Sequence, residues 1–174
     1  MSELAELRQR TGELEALEME HKRAEQTLRG SQEELFAIYD LAPIPMILVD
    51  RERRVRKVNG ATVQFVERPA ERMIGLRGGE ALRCLHSLDD PKGCRFGPFC
   101  ETCPVRLTVL DTFETGQTHH HVEARLPFAR EGREEEIDLV VSTRLLSLPR
   151  GQRVLVCVDD VTERKRAEEK IIPE

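Results

Sequence analysis

The hydrophobic period of this chain changes near Pro45, and that change limits the folds that the sequence can adopt. Residues 2–29, which precede it, are rich in Glu, Leu, Arg and Ala and are predicted to form one helix. After Pro45, short apolar runs follow one another with the alternation that is typical of strands. The sequence therefore predicts a helical arm in front of a domain that contains a sheet.

The arm carries a heptad pattern. Two sets of positions recur every seven residues: Leu7, Leu14, His21, Leu28 and Leu35, and the companion set Arg10, Leu17, Ala24, Ser31 and Ile38. A single exposed helix cannot bury such a stripe, so the pattern predicts a coiled coil over residues 1–31 and a homodimer formed through it. A solvated or internally packed helix is the alternative. Gly30, followed by a capping-box pattern at Ser31 and Glu34, allows the helix either to restart there or to continue to about residue 40.

Charge is divided unevenly between the arm and the rest of the chain. Residues 1–40 hold 5 basic and 10 acidic residues, whereas the other 134 residues hold 22 of each sign. A basic surface for nucleic acid or lipid headgroups is therefore not expected on the scale of the whole protein. The most apolar runs, such as 43–49 and 154–158, are far shorter than the ~20 residues that span a bilayer. Because the start also lacks an apolar signal segment, we expect a cytoplasmic protein that binds neither membrane nor nucleic acid.

The pattern beyond the arm predicts an ordered series of elements. These are strands at 45–50 and 54–58, short helices at 61–67 and 69–75, a Gly- and Cys-rich segment at 76–103, a helix from Pro104 to Gly116, strands at 119–128, 135–146 and 154–158, and a charged helix from Asp160. An antiparallel five-stranded sheet with its helices on one face satisfies this order. The fold class that we expect is therefore α+β.

Four short motifs beyond the arm match a known family. Residues 47–50 form a strand that ends in Asp, and Val-Asn-Gly-Ala at 58–61 stands where the family has Val-Asn-x-Ala. The segment 69–75 looks like the family's x-x-Glu-Glu-Leu-Ile-Gly. Asp-Val-Thr-Glu-Arg-Lys at 160–165 looks like its boundary motif Asp-Ile-Thr-Glu-Arg-Lys and is the most specific match. Over residues 32–170 the chain thus resembles a PAS domain, the sensory module of bacterial signalling proteins.

The resemblance implies a PAS sensory domain at 32–160, with a Cys-rich segment at 76–104 inside it and a signalling helix at 161–174. In this family the last strand feeds a helix that reaches an output domain, so the implied partner is a downstream signalling protein or output domain. Asp160 and Thr162 stand at this joint and are the implied signal relay, because a carboxylate and a hydroxyl satisfy free amides at a helix start. The implied role is a non-catalytic sensor, and the sequence contains no phosphate-binding loop, Gly-x-Ser-x-Gly or kinase ATP-binding motif.

Four cysteines set the chain apart from an ordinary PAS domain: Cys84, Cys94, Cys100 and Cys103. Their spacing, with a tight Cys-x2-Cys pair and flanking Gly and Pro residues, suits an iron–sulfur cluster or zinc held by thiolates. Pro104 directly follows the last of them, as Pro often follows a ligand cysteine in iron–sulfur proteins. We expect a four-cysteine iron–sulfur cluster that senses redox state or oxygen, with zinc as the alternative.

Other interpretations of the cysteines stay open. They can form a structural zinc clamp in a PAS module that mainly dimerises or binds a partner, or redox disulfides, or thiols without a joint role. His86, two residues after the first cysteine, is an alternative metal ligand. Cys157, in the last predicted strand, is expected to be an inert core thiol. Haem and flavin stay open as ligands of a PAS pocket, although the flavin-photosensor motif Asn-Cys-Arg-Phe-Leu-Gln is absent.

A run of three histidines, His119-His120-His121, opens the third predicted strand. On a regular strand His119 and His121 share one face and His120 lies on the other, so the three cannot converge on one ion. We expect a solvated edge here, with His120 on the inward face beside Val122.

Overall fold

The computed structural model of the protein describes residues 2–130 and 132–171. The chain forms two compact units, one up to Asp40 and one from Leu41 onward. In the described part of the chain, no helix is both long enough and apolar enough to cross a bilayer.

Helix α1 (Glu3–Leu41) forms the first unit and runs without interruption through Gly30. The helix therefore continues to the end of the arm and does not restart at Ser31. No residue of α1 is buried, and the heptad residues Leu14 and Leu28 are 61% and 59% exposed. The heptad seam is thus an exposed apolar stripe on this unit.

Five strands form one antiparallel sheet in the second unit. They are β1 (Met46–Val49), β2 (Val55–Val58), β3 (His119–Arg130), β4 (Arg133–Leu148) and β5 (Gly151–Asp160). Their spatial order is β2-β1-β5-β4-β3, so the first and last strands of the sequence lie side by side within the sheet. Ile47 pairs with Val156 across that contact. The predicted five-stranded antiparallel α+β fold is confirmed.

Helices and turns fill the connection between β2 and β3. They are α2 (Gly60–Val66), α3 (Gly78–Ala81), α4 (Pro104–Thr115) and the 3-10 turns Ala70–Arg72, Leu85–Leu88 and Pro98–Cys100. Of the helix predicted at 69–75, only a 3-10 turn forms. Pro69 is extended and Gly75 is left-handed with φ 86°, so helical backbone is confined to the residues between them.

Asn59 links α2 to strand β1 of the sheet. Its side-chain oxygen accepts hydrogen bonds from the Thr62 amide at 3.1 Å and from the Met46 amide at 2.9 Å. Its side-chain nitrogen donates to the Ile44 carbonyl at 2.9 Å, and the residue is fully buried. An Asn at this position of the Val-Asn-Gly-Ala motif thus acts as a helix N-cap and as a link to β1.

One face of the sheet forms the core. Its alternate residues are buried: Ile47, Val49, Ala124, Leu126, Phe128, Ile137, Leu139, Val141, Val154, Val156 and Val158. Val109 and Phe113 of α4 belong to the same buried cluster. The period of two that predicted the strands therefore marks the face that the helices cover.

The chain leaves the sheet later than the sequence predicted. Asp160 still pairs with Leu139 of β4, and α5 (Thr162–Ile171) begins two residues after the predicted helix start. The sheet ladder competes with the helix for these backbone groups and holds them. The end of the predicted signalling helix, residues 172–174, lies outside the described residues.

Candidate metal centre

The four predicted cysteines line one cavity of about 110 Å³ against the apolar face of the sheet. Cys84 forms a bridge with β3, Cys100 ends a 3-10 turn, and Cys103 is the N-cap residue of α4. Cys94 lies in the loop between the 3-10 turns Leu85–Leu88 and Pro98–Cys100. Cys157 of β5 does not line the cavity, and all five cysteines are free. The structure thus brings together the four residues that the spacing singled out.

The cavity holds its thiols away from water. Cys84 and Cys100 are buried, and Cys94 and Cys103 are partly buried. Burial raises the pKa of the Cys84 thiol to about 12; a hydrogen bond with the His86 backbone opposes this shift and the neighbouring cysteines add to it. Burial also raises the pKa of Cys94. Without a metal both are neutral thiols near pH 7, so a metal that binds them must displace protons.

Two glycines allow the loop to pack closely around Cys94. A Cβ atom on Gly79 would lie 2.7 Å from the Cys94 Sγ, and one on Gly93 would collide with the Glu80 carboxylate. That carboxylate accepts hydrogen bonds from the backbone amides of Cys94 and Arg77, both at 3.2 Å. Glu80 therefore fixes the backbone that carries Cys94, a role that no sequence motif indicated.

His86 lines the same cavity. Its ring stacks on Phe99 with centroids 4.3 Å apart, and its Nδ1 lies 2.9 Å from the Asp89 carboxylate. A histidine whose Nδ1 is held by a carboxylate can present Nε2 to a metal, which is a common arrangement around metal ligands. Its role as an alternative ligand stays a prediction.

The donor set fits a thiolate centre in chemistry, because four sulfur atoms and an adjacent imidazole surround one space. Over residues 2–130 and 132–171, no three Cys, His, Asp or Glu side chains are spaced so that they hold a metal ion as they stand. Binding would therefore draw the thiols closer together. Side-chain rotation in the Gly-rich loop around Cys94 is the simplest way for this to occur.

The histidine run differs from the regular strand that the sequence suggested. The pairing of β3 with β4 is irregular between His119 and Val122, and His121 has a positive φ of 56°. An extra residue here breaks the alternation, so His119, and not His120, is the partly buried one. Its Nε2 lies 2.6 Å from the Asp111 carboxylate of α4, while His120 and His121 are exposed.

The predicted relay residues form a compact joint between β5 and α5. The Asp160 carboxylate accepts from the Thr162 hydroxyl at 2.6 Å and from the Thr162 amide at 3.1 Å. The Thr162 hydroxyl in turn accepts from the Asp138 amide at 3.0 Å. Arg130 of β3 donates to the other Asp160 oxygen at 3.2 Å. Strands β4 and β5 therefore contact the first residue of α5 directly, and β3 reaches it through Asp160.

Four arginines that no sequence motif singled out also line the cysteine cavity: Arg53, Arg77, Arg95 and Arg106. They come from the β1–β2 turn, the start of α3, the loop after Cys94 and α4. No short motif links them, because only the fold brings these segments together. A basic wall next to a thiol cluster was therefore not predictable from spacing.

No protein-family model matches the sequence, and no curated protein is significantly similar to it. Solved structures are similar in fold. The PAS domain of an HTR-like protein from Haloarcula marismortui has a TM-score of 0.56 at 16% identity, covering 80% of this chain and 98% of that chain. The PAS domain of a protein from Colwellia psychrerythraea has 0.54 at 12%, covering 76% and 98%.

The PAS domain of nitrogen regulation protein NR(II) from Vibrio parahaemolyticus has a TM-score of 0.51 at 16% identity, covering 72% of this chain and 95% of that chain. These likenesses concern the fold, since all three identities are low. They agree with the strand order and with the helices on one face of the sheet. The chain contains a domain with the PAS fold.

Proposed function

We propose that this PAS-fold domain is a non-catalytic sensory module of bacterial signal transduction. It senses redox state or oxygen through an iron–sulfur cluster held by Cys84, Cys94, Cys100 and Cys103. The observation that carries the proposal is that all four thiols line one cavity between the sheet and the helices. A reducing cytoplasm, where thiols stay free, is the compartment that suits such a site.

When bound, an iron–sulfur cluster supplies a group that exchanges electrons and reacts with oxygen. Two of the cysteines would connect such a group to the rest of the domain. Cys103 is the N-cap residue of α4, so movement of its sulfur acts directly on the first turn of that helix. The backbone of Cys84 pairs with Phe128, so the other end of the ligand set is attached to β3.

Strand β4 connects α4 to the exit of the domain. Thr112 of α4 and Thr143 of β4 share a buried hydrogen bond of 2.7 Å. Nearer the start of β4, the carbonyl of Asp138 accepts from the Val161 amide at 2.9 Å, and the amide of Asp138 donates to the Thr162 hydroxyl. A shift of α4 along the sheet would therefore reach the start of α5, and through it a downstream signalling protein or output domain.

The same proposal includes a homodimer formed through α1. Large apolar side chains on this helix, including Leu7, Leu14, Leu28 and Leu35, are more than half exposed. They recur at the seven-residue spacing of a coiled coil, which buries such a seam against a second helix. A second copy of the chain is the simplest source of that helix.

A structural zinc site in a dimerising or partner-binding PAS module is the second candidate. It is favoured by the closeness of three sulfur atoms, since Cys100 and Cys103 add to the effect of burial in raising the pKa of Cys94. Zinc binds four ligands around a single small ion, which requires sulfur atoms in mutual contact. In that case the cavity is a clamp for the loop and does not respond to oxidants.

The deciding experiment is anaerobic purification followed by iron, sulfide and zinc analysis and visible absorption spectroscopy. We expect iron and sulfide, with a visible absorption that Cys100→Ser abolishes and Cys157→Ser leaves unchanged, since Cys157 lies outside the cavity. Stoichiometric zinc, with no response to oxygen, would support the structural alternative. Colourless, metal-free protein with four free cavity thiols would refute both candidates.

A further inference from the structure

A concavity of about 370 Å³, which we term the arginine hollow, adjoins the cysteine cavity and shares lining residues with it. Six of its lining residues are arginines: Arg51, Arg53, Arg54, Arg77, Arg95 and Arg106. Glu52 is its single acidic lining residue. Such a concentration of one charge around a concave space is costly unless an opposite charge enters it.

Internal partners account for only part of this charge. Arg51 donates to the Gln152 side chain, and Arg54 donates to the Gly75 carbonyl at 2.8 Å. Among the described residues, no carboxylate forms a salt bridge with Arg53, Arg95 or Arg106.

Arg77 has an acidic neighbour that is already engaged. Its guanidinium lies 4.0 Å from the Glu80 carboxylate, at the limit of a salt bridge. Both oxygens of that carboxylate accept backbone amides, from Arg77 itself and from Cys94. Glu80 therefore offsets at most one of the positive charges in the hollow.

Two of these guanidinium groups contain buried nitrogen atoms without a partner. The Nε atoms of Arg77 and Arg106 are inaccessible to solvent and make no hydrogen bond in the described part of the chain. Buried donors are paired in almost all native proteins, because an unpaired one forfeits its hydration. Both side chains line the hollow, so an acceptor from outside the chain can satisfy these donors once the guanidinium groups turn toward it.

The positive charge of the arginine hollow also affects the pKa of Arg53. Burial lowers the pKa of its guanidinium, and repulsion from Arg106, Arg95 and Arg77 lowers it further. Its backbone is left-handed with φ 61°, and that of Arg95 also has a positive φ, 104°. Non-glycine residues hold such conformations at a cost, and they cluster at ligand sites.

We propose that the arginine hollow binds a small oxyanion with two or more negative charges, of the phosphate or dicarboxylate type. Guanidinium groups bind such oxygens in bidentate pairs, and several of them around one space select for multiple charge. Binding of this anion does not require a metal at the cysteines. It adds a second input, because Arg53, Arg77, Arg95 and Arg106 line both the hollow and the cysteine cavity.

The test is a calorimetric titration of the full chain with inorganic phosphate and, separately, with succinate. Both the protein as isolated and the reduced, chelator-treated protein are titrated, so that an anionic metal centre is distinguished from a free anion. We expect saturable binding of at least one anion. Arg53→Gln and Arg106→Gln should each weaken it about tenfold, the loss expected for one charge-assisted pair. The titration that shows binding identifies the anion as a phosphate or a carboxylate.

Arg72→Gln is the matched control, because Arg72 is exposed and lines neither cavity. It removes the same charge and should leave the affinity within about twofold. Arg53→Lys keeps the charge but not the planar fork, so it should also weaken binding. Arg53→Lys is the replacement test variant if a Gln variant fails to fold.

Two results would overturn the proposal. One is the absence of saturable binding of either anion to both protein forms. The other is equal weakening by the hollow variants and by Arg72→Gln, which would indicate general charge attraction. In either case, metal loss from the hollow variants would show that the arginines neutralise the cysteine centre instead.

Discussion

The side-chain hydroxyls of Thr112 in α4 and Thr143 in β4 lie 2.7 Å apart in the core. Thr112 already donates its proton to the Thr108 carbonyl at 2.9 Å, so Thr143 is the donor between the two hydroxyls. This bond attaches the helix that begins at Cys103 to the strand whose Asp138 contacts Thr162. It is a direct polar link between α4 and β4, and β4 in turn contacts the start of α5.

The direction of this bond predicts unequal effects of two similar substitutions. Thr112→Val leaves the buried Thr143 hydroxyl without its acceptor and should lower the free energy of unfolding by about 1–3 kcal/mol. Thr143→Val leaves the bond from Thr112 to Thr108 intact and should cost less. Denaturant unfolding of both single variants and of the double variant measures this. A larger loss for Thr143→Val, or additive losses in the double variant, would contradict the assignment.

Asp50 makes the stability of the domain depend on acid. Burial opposes its charge, but the Arg54 amide and the Arg56 guanidinium overcome this and hold the pKa of the carboxyl below its ordinary value of 3.8. A depressed pKa stabilises the folded state above the ordinary value, and this contribution is lost as the pH falls through the folded value. Asp50→Asn should therefore be less stable than the wild type near neutral pH.

The stability difference between the wild type and Asp50→Asn should begin to shrink below about pH 4, where Asp50 of the unfolded chain takes up a proton, and should be lost once the folded carboxyl is protonated as well. Denaturant unfolding at a series of pH values measures the difference directly. A gap that stays constant into acid would mean that the ionised carboxylate contributes nothing and that only its shape matters.

The strands and the cysteine set were predictable because their signals are local. Alternation along β4 identifies which residues face the core, and the spacing of Cys94, Cys100 and Cys103 keeps them within one short segment. The histidine run was not predictable, because a bulge in β3 moves His119 inward beside Asp111. A bulge adds one residue to one strand of a ladder, and the sequence of that strand carries no distinctive signal for it.

Polar networks between distant segments escaped the sequence for a related reason. Arg53 and Arg106 lie in separate elements, and an arginine in a chain with 34% charged residues has no distinguishing neighbour. Likewise, Glu80 reads as one acid among many until its carboxylate is seen to accept the Cys94 amide. Networks of this kind depend on tertiary placement, whereas hydrophobic period depends on the local element.

The exposed stripe of α1 predicts a charge-sensitive dimer. Leu14→Glu or Leu28→Glu places a carboxylate in the proposed seam and should convert the dimer to monomer in sedimentation equilibrium. Gln26→Glu adds the same charge outside the two heptad sets and should leave the dimer intact. Monomeric wild-type protein, or equal effects of all three variants, would refute assembly through this seam.

The hydrogen bonds of Thr162 with Asp160 and Asp138 predict that loss of the Thr162 hydroxyl destabilises only the start of α5 and its contact with β4. Thr162→Val removes both the donor to Asp160 and the acceptor of the Asp138 amide, so hydrogen exchange should speed up at that amide and along α5. Thr162→Ser keeps the hydroxyl and should behave like the wild type. Exchange that increases evenly over the whole sheet would instead indicate general destabilisation and no special role for the joint.

The raised pKa values of the cavity thiols predict how metal affinity depends on pH. Burial keeps Cys84 and Cys94 protonated near neutral pH, whereas a metal binds the thiolate. Each proton that the metal displaces should therefore raise the apparent affinity by about tenfold per pH unit. Zinc, in competition with a chelator whose own pH dependence is known, is a suitable probe of the reduced apoprotein between about pH 6 and pH 8. We expect a steep rise with pH that Cys84→Ser reduces and that Cys157→Ser preserves, because Cys157 lies outside the cavity. An affinity that is flat over this range would show that carboxylates, which are already ionised, bind the ion and that the four thiols do not.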